Sequence, residues 1–144
     1  MNTLSFSELT LEDLLPHRGA MMLVKEVLEV DRNHALTRCL VKKSWPMAGE
    51  QGVHPLILVE LAAQTAGVCN GWDRVQTKGL DSDKMGWLVG IKKTEILIDC
   101  LPFGAEIVTS AENSYNFEKL REVACEQRID DIIICKSTLQ LFQA

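Results

Sequence analysis

The 144-residue chain has no Cys-x-x-Cys pair, no apolar run as long as a membrane span, and no basic residue among its first fifteen. Each absence excludes something. Five cysteines at wide spacings (Cys39, Cys69, Cys100, Cys125 and Cys135) without a paired motif argue against a structural zinc site or a disulfide framework. They read as reduced, mostly buried thiols of a cytoplasmic protein. The opening "MNTLSFSELTLEDLL" carries three acidic residues and no positive charge, so it does not read as a secretory signal. The longest oily stretch is broken by Glu60 and Gln64 and falls short of the roughly 18 residues that a span needs. A net charge of −5 disfavours nucleic acid, whose recognition needs a basic footprint. Repeats, low-complexity tracts and linkers are absent too, so one domain over residues 1–144 is expected.

What is present is ordinary for a folded protein: 47% hydrophobic and 24% charged residues, enough to bury a core. "TLEDLL" predicts a short helix capped by Thr10 and ended by Pro16. Met21–Val30 reads as a strand, "DRN" as a turn and "HALTRCLVKK" as the return strand. "SWPMAGEQGVHP" is a loop. Pro55 then suits the first helical position, and the oily segment from Leu56 to about Trp72 predicts a helix. "DRVQTKGLDSDKMG" reads as a polar loop. A strand over "WLVGIKKTEILIDC" follows, with Gly90 as a candidate bulge, then a turn at "LPFG". Three further strands are expected, joined by turns at Glu118-Lys119 and Asp130-Asp131. "LREVACEQR" has helical propensities, but its strand-like neighbours favour a strand. The layout is α+β: a hairpin, a long apolar helix and an antiparallel meander. A helix that is apolar nearly all round must be enclosed, and a curved sheet wrapped about it would do so.

Within that helix a thin seam stands out. At 100° per residue, Glu60, Gln64, Gly67 and Gly71 share one stripe, while Leu58, Val59, Leu61, Ala62, Ala66, Val68 and Cys69 cover the rest. A glutamate is rarely buried without a partner. Desolvation would raise its pKa and hold a neutral acid able to protonate a leaving group. The alternative is that Glu60 meets an arginine or solvent at a subunit edge. Gln64, one turn on, is a candidate to orient Glu60 or to satisfy a backbone group. The N–H groups of Leu56 and Ile57 at the helix start are candidate donors to a substrate carbonyl.

"LLPHRGAMMLVKEVLEV", "LILVELAAQTAG" and "LVGIKKTEILIDCLPFGAEI", in that order, resemble the β-hydroxyacyl-(acyl carrier protein) dehydratases. The resemblance is nearest to the divergent dehydratase-like proteins of aryl polyene and related polyketide-type clusters. It implies the hotdog fold, a curved antiparallel sheet around one long helix. The implied reaction is loss of water from a 3-hydroxyacyl thioester to give the 2-enoyl thioester, in fatty acid or polyene biosynthesis. In the family a histidine takes the α-proton, the helix carboxylate (here Glu60) protonates the departing hydroxyl, and the two groups come from different subunits. The resemblance implies a substrate carried on acyl carrier protein, a homodimer or higher oligomer, or a heterodimer with a second dehydratase. It implies no cofactor and no metal.

The chain departs from the family at the His-Phe-Pro-Gly motif. Trp45-Pro46 matches Phe-Pro, which puts Ser44 at the histidine and Met47 at the glycine. His54 is the histidine in the right loop and the candidate base; its alternative is a helix cap or a surface position. His17 and Arg18 of the "LPHR" motif read as structural or interfacial, and His34 as a solvated turn residue. Three readings stay open: a dehydratase, a catalytically impaired acyl-binding partner subunit, and an acyl thioester hydrolase. Lys42-Lys43, Lys92-Lys93, Arg18 and Arg38 are candidates for docking an acidic carrier.

Overall fold

A computed structural model describes residues 9–84 and 86–143. Thr10 opens α1 (Leu11–Leu14) with a capping box: its hydroxyl accepts from Asp13 N–H and the Asp13 carboxylate accepts from Thr10 N–H. A 3-10 turn at Gly19–Met21 follows. The first strand, β1 (Glu26–Val30), is shorter than the pattern predicts, because residues 21–24 are held by a helix side chain rather than by a neighbouring strand. Asp31 Oδ1 accepts from the N–H groups of Asn33 and His34 and turns the chain into β2 (His34–Leu40).

The helix α2 spans Ile57–Lys78, a turn and a half beyond the expected end at Trp72. Its last turns look polar in sequence, yet Arg74 and Val75 are buried against the rest of the fold. Gly79, at φ 88°, terminates it. Three backbone N–H···O bonds, Ile57 to His54, Leu58 to Pro55 and Val59 to Leu56, make its first turn tight.

Six strands form one antiparallel sheet in the order β1-β2-β6-β7-β8-β4, with β4 at Gly86–Ile96, β6 at Glu106–Phe117, β7 at Leu120–Ile129 and β8 at Ile132–Gln143. "LREVACEQRI" is therefore a strand, its helical propensity overridden by pairing on both sides. The two-residue turns fall where expected; Glu118, Asp130 and Asp131 adopt positive φ there. The register of β4 slips on either side of Gly90–Ile91, so bulging brackets the glycine. A second, two-stranded sheet pairs β3 (Gly52–Val53) with β5 (Leu101–Pro102), which the sequence pattern did not indicate. Among the described residues, no helix is long and apolar enough to cross a membrane.

The sheet encloses α2 through three apolar clusters along the helix. Leu58 and Leu61 pack with Leu101, Ile107 and Trp45; Ala62 and Ala66 with Ala111, Val123 and Leu139; Val68 and Val75 with Leu14, Leu15 and Ala35. The expected curved sheet around one helix is thus observed. The small residues of the seam face the segment from α1 to β1. A Cβ at Gly71 would lie 2.4 Å from Leu14 O, and one at Gly67 2.7 Å from Leu15 Cδ2. Backbone cannot yield as a leucine methyl can. Gly71→Ala is therefore expected to destabilise by about 1–3 kcal/mol, and Gly67→Ala by much less, in urea unfolding followed by circular dichroism.

Candidate active site

Gln64 is wholly buried, at 0% exposure, and makes contacts in several directions. Its Oε1 accepts from Leu23 N–H (2.9 Å) and Val24 N–H (3.4 Å), and its Nε2 donates to Met21 O (2.6 Å) and Glu60 Oε1 (3.1 Å). It thereby lashes the N-terminal segment across α2. Both alternatives read from the sequence hold at once: it satisfies backbone groups and it orients Glu60. It is not among the residues that line the cleft beside Glu60.

The same lashing brings His17 to Glu60. Its Nε2 lies 3.0 Å from Glu60 Oε1, with side-chain exposures of 27% and 33%. Two donors therefore converge on Oε1, while Oε2 takes no hydrogen bond among the described residues. His17 Nδ1 is buried without a partner among them. Burial pushes the Glu60 carboxyl up, but hydrogen bonds from His17 and Gln64, with the His17 charge, outweigh it. The net result lies below the ordinary glutamate value. The expectation of a neutral acid is thus reversed: Glu60 is a carboxylate near neutral pH, since its partial burial comes with two donors. Its position one turn from the helix start favours the same charge.

The other predicted site residues lie apart from this pair. His54 is exposed, and its Nδ1 accepts from Leu56 N–H at 3.1 Å, so in this chain it caps the helix start. Leu56 N–H is occupied by that bond and Ile57 N–H by His54 O (3.2 Å). Neither amide is free within the subunit for a substrate carbonyl. Ser44 is exposed, and Met47 holds φ 65°, a glycine-like conformation at the position matched to the motif's glycine. His34 is half-buried in β2. The cysteines are free thiols; burial pushes Cys39, Cys69 and Cys125 up to about 12, which removes them as nucleophiles.

A cleft of about 190 Å³ opens from the Glu60–His17 pair. One wall is Leu14, Leu15 and Pro16; the floor is the helix face of Ala63, Gly67, Asn70, Gly71 and Arg74; the other wall is Trp87 and Leu88 of β4 with Leu141 and Phe142 of β8. Lys84 and Arg121 complete its lining. Of the cations singled out in sequence, none lines it. Arg38 pairs with Glu26 and Glu106, Lys92 with Glu122 and Lys93 with Glu95, while Arg18 donates to backbone carbonyls and Lys43 sits over Phe103. The sequence places His17 as structural or interfacial but does not pair it with Glu60, a contact made only in the folded chain. The available signal was the seam itself, whose polar members need partners from a segment that crosses it.

A depressed carboxyl stabilises the fold above its unfolded-state pKa, and that contribution is lost as pH falls through the folded value. Wild type is accordingly expected to exceed Glu60→Gln in stability near neutral pH by a margin that shrinks toward acid. Urea unfolding of both proteins across the carboxylate range measures it; a constant margin would contradict the pairing.

No curated protein matches the chain. Among solved structures, the dehydratase heterocomplex ApeI:P from Xenorhabdus doucetiae superposes with a TM-score of 0.85 at 21% identity, covering 94% of this chain and 91% of that one. A hypothetical thioesterase from Streptococcus pneumoniae, solved with coenzyme A, gives 0.60 at 14% identity, covering 81% and 83%. The PaaI protein from the phenylacetic acid degradation operon of E. coli gives 0.62 at 13%, covering 82% of each chain. At these identities they establish the hotdog fold. A family model described as ApeP-like (ApeP dehydratase) matches residues 9–144, and the chain belongs to that dehydratase-like family.

Proposed function

We propose that the chain is a hydro-lyase subunit that removes water from a 3-hydroxyacyl thioester carried on an acyl carrier protein. The observation that carries this reading is one carboxyl group, aimed by two donors, at the end of a cleft with largely apolar walls. Glu60 Oε2 takes the α-proton, and the carboxyl so formed returns it to the departing hydroxyl, leaving water and a conjugated double bond. One proton enters Glu60 and one leaves, so the residue ends as it began. His17 is a positioning residue, which holds the carboxylate's direction and its charge. His54 serves the helix start rather than proton transfer.

Enoyl thioester formation, followed spectroscopically, tests these roles. Glu60→Gln is expected to lower the rate by about 100-fold or more, and His54→Ala to leave it nearly unchanged. His17→Ala removes a bond that holds the carboxyl down, so the acid limb of kcat/KM is expected to move to higher pH. Undiminished turnover by Glu60→Gln would overturn the mechanism.

The working unit in this reading contains a second subunit along β4. That strand is eleven residues long, lies at the sheet edge, and carries exposed Trp87, Leu88, Val89 and Ile91. A long apolar edge left unpaired invites pairing with another chain. The same edge borders the cleft, so a neighbour there would roof it. Likeness to one member of a dehydratase heterocomplex supports a second, different subunit as the neighbour. Val89→Asp with Ile91→Lys is expected to convert the assembly to monomer in sedimentation velocity.

A further inference from the structure

The cleft is polar at both ends and apolar between them. Glu60 and Arg74 are fourteen residues apart on one helix face, about 21 Å along the axis. Glu60 and His17 occupy one end. Arg74, Lys84 and Arg121 occupy the other, brought there by three separate elements: α2, the segment before β4, and β7. Between them Leu14, Leu15, Trp87, Leu141 and Phe142 present carbon.

Among the described residues, carboxylates act on the cationic end only from a distance, without a direct ion pair. Arg74 is 4% exposed, and its guanidinium donates to the Ser82 hydroxyl and carbonyl and to Asp13 O (2.9 Å). These acceptors are uncharged, although the Asp83 carboxylate attracts it from further away. Arg121 donates to the carbonyls of Glu118 (2.6 Å) and Leu120 (3.3 Å). No carboxylate lies within ion-pair distance of Arg121 or Lys84 among the described residues; Lys84 only helps to hold Asp13 ionised from a distance. Asp73 in the adjoining groove is engaged by Arg32. Helix C-termini favour cations, which accounts for Arg74. It does not account for Lys84 and Arg121, which belong to other elements.

We propose that this end of the cleft recognises an anionic oxygen group at the tip of the acyl chain, with Lys84 and Arg121 as its direct partners and Arg74 behind them. The inference rests on the reading that the thioester reacts at Glu60. Half-buried cations at an apolar mouth are costly unless an anion joins them. A phosphate on the carrier's arm would bring the same charge, but the arm carries amides that need partners along the way. Mid-cleft side chains offer the donors Asn70 Nδ2 and the Trp87 indole N–H, but the one side-chain acceptor, Asn70 Oδ1, already accepts from Asn113, so the arm's N–H groups would go unmet. A hydrocarbon chain needs no such partners. The preferred substrates are therefore acyl chains ending in a carboxylate rather than in a methyl group.

Saturated acyl pantetheine thioesters test this, since they lack the 3-hydroxyl and cannot eliminate water. Calorimetric titration would compare chains of equal length ending in carboxylate or in methyl, against the assembled protein at low salt. The carboxylate tip is expected to bind at least tenfold tighter, with Lys84→Gln and Arg121→Gln each driving the ratio of the two affinities toward one. Glu60→Gln is expected to keep the ratio, which separates failure of this inference from failure of the elimination mechanism. Equal binding of the two tips in wild type would overturn the proposal. So would a ratio unmoved by either variant, or an affinity gain that follows a phosphate on the pantetheine arm instead of the tip.

Discussion

The primary amide of Gln64 is the constraint on which the rest of the site depends. It is fully buried, and it bridges residues 40 to 43 positions away in the chain: Met21, Leu23 and Val24. An unpaired backbone N–H or C=O costs about 1–3 kcal/mol when buried. The segment from Met21 to Val24 has such groups and no strand partner to meet them. One glutamine, with two donor hydrogens and a carbonyl oxygen, satisfies them and fixes where the N-terminal segment crosses the helix.

Everything else along the seam follows from that crossing. Glycine at 67 and 71 lets Leu15 and the Leu14 carbonyl approach the helix closely. His17, four residues before Met21, is delivered to Glu60. The leftover donor of Gln64 points at the same carboxylate oxygen. Other buried polar contacts on the helix are purely structural. Thr65 meets Thr37 at 2.8 Å, and Gln127 donates to Leu58 O at 2.9 Å. Glu60 keeps one oxygen, Oε2, that takes no hydrogen bond among the described residues, and the residue lines the cleft.

This arrangement alters the chemistry that the side chain can perform. A lone glutamate in an apolar pocket would hold its proton and act as an acid. With two donors on one oxygen it gives the proton up, and in the proposed reaction it would therefore act first as a base. The departure of the chain from the family's histidine motif is consistent with such a change of role: a carboxylate that can both accept and return a proton does not need an imidazole in the loop before the helix. Ser44 is exposed there, and Met47 keeps the backbone turn without the glycine.

The sequence by itself determined the α+β layout, the hairpin turns, the Thr10 cap and the single seam on the oily helix. These follow from local rules: side-chain periodicity, turn chemistry and capping act over a few residues and leave a readable pattern. The unusual character of Glu60 and Gln64 was legible for the same reason, as polar residues on an otherwise apolar wheel. Tertiary structure alone decided their partners and hence their charge. His17 lies forty-three residues from Glu60 in sequence, and no local pattern encodes that meeting. Tertiary contact likewise carried α2 past Trp72, where burial of Arg74 and Val75 outweighed a polar composition. It also placed Arg74, Lys84 and Arg121 at the far end of one cleft. Desolvation and hydrogen bonding are properties of neighbours in space, so a pKa and a binding cleft exist only once the chain has closed on itself.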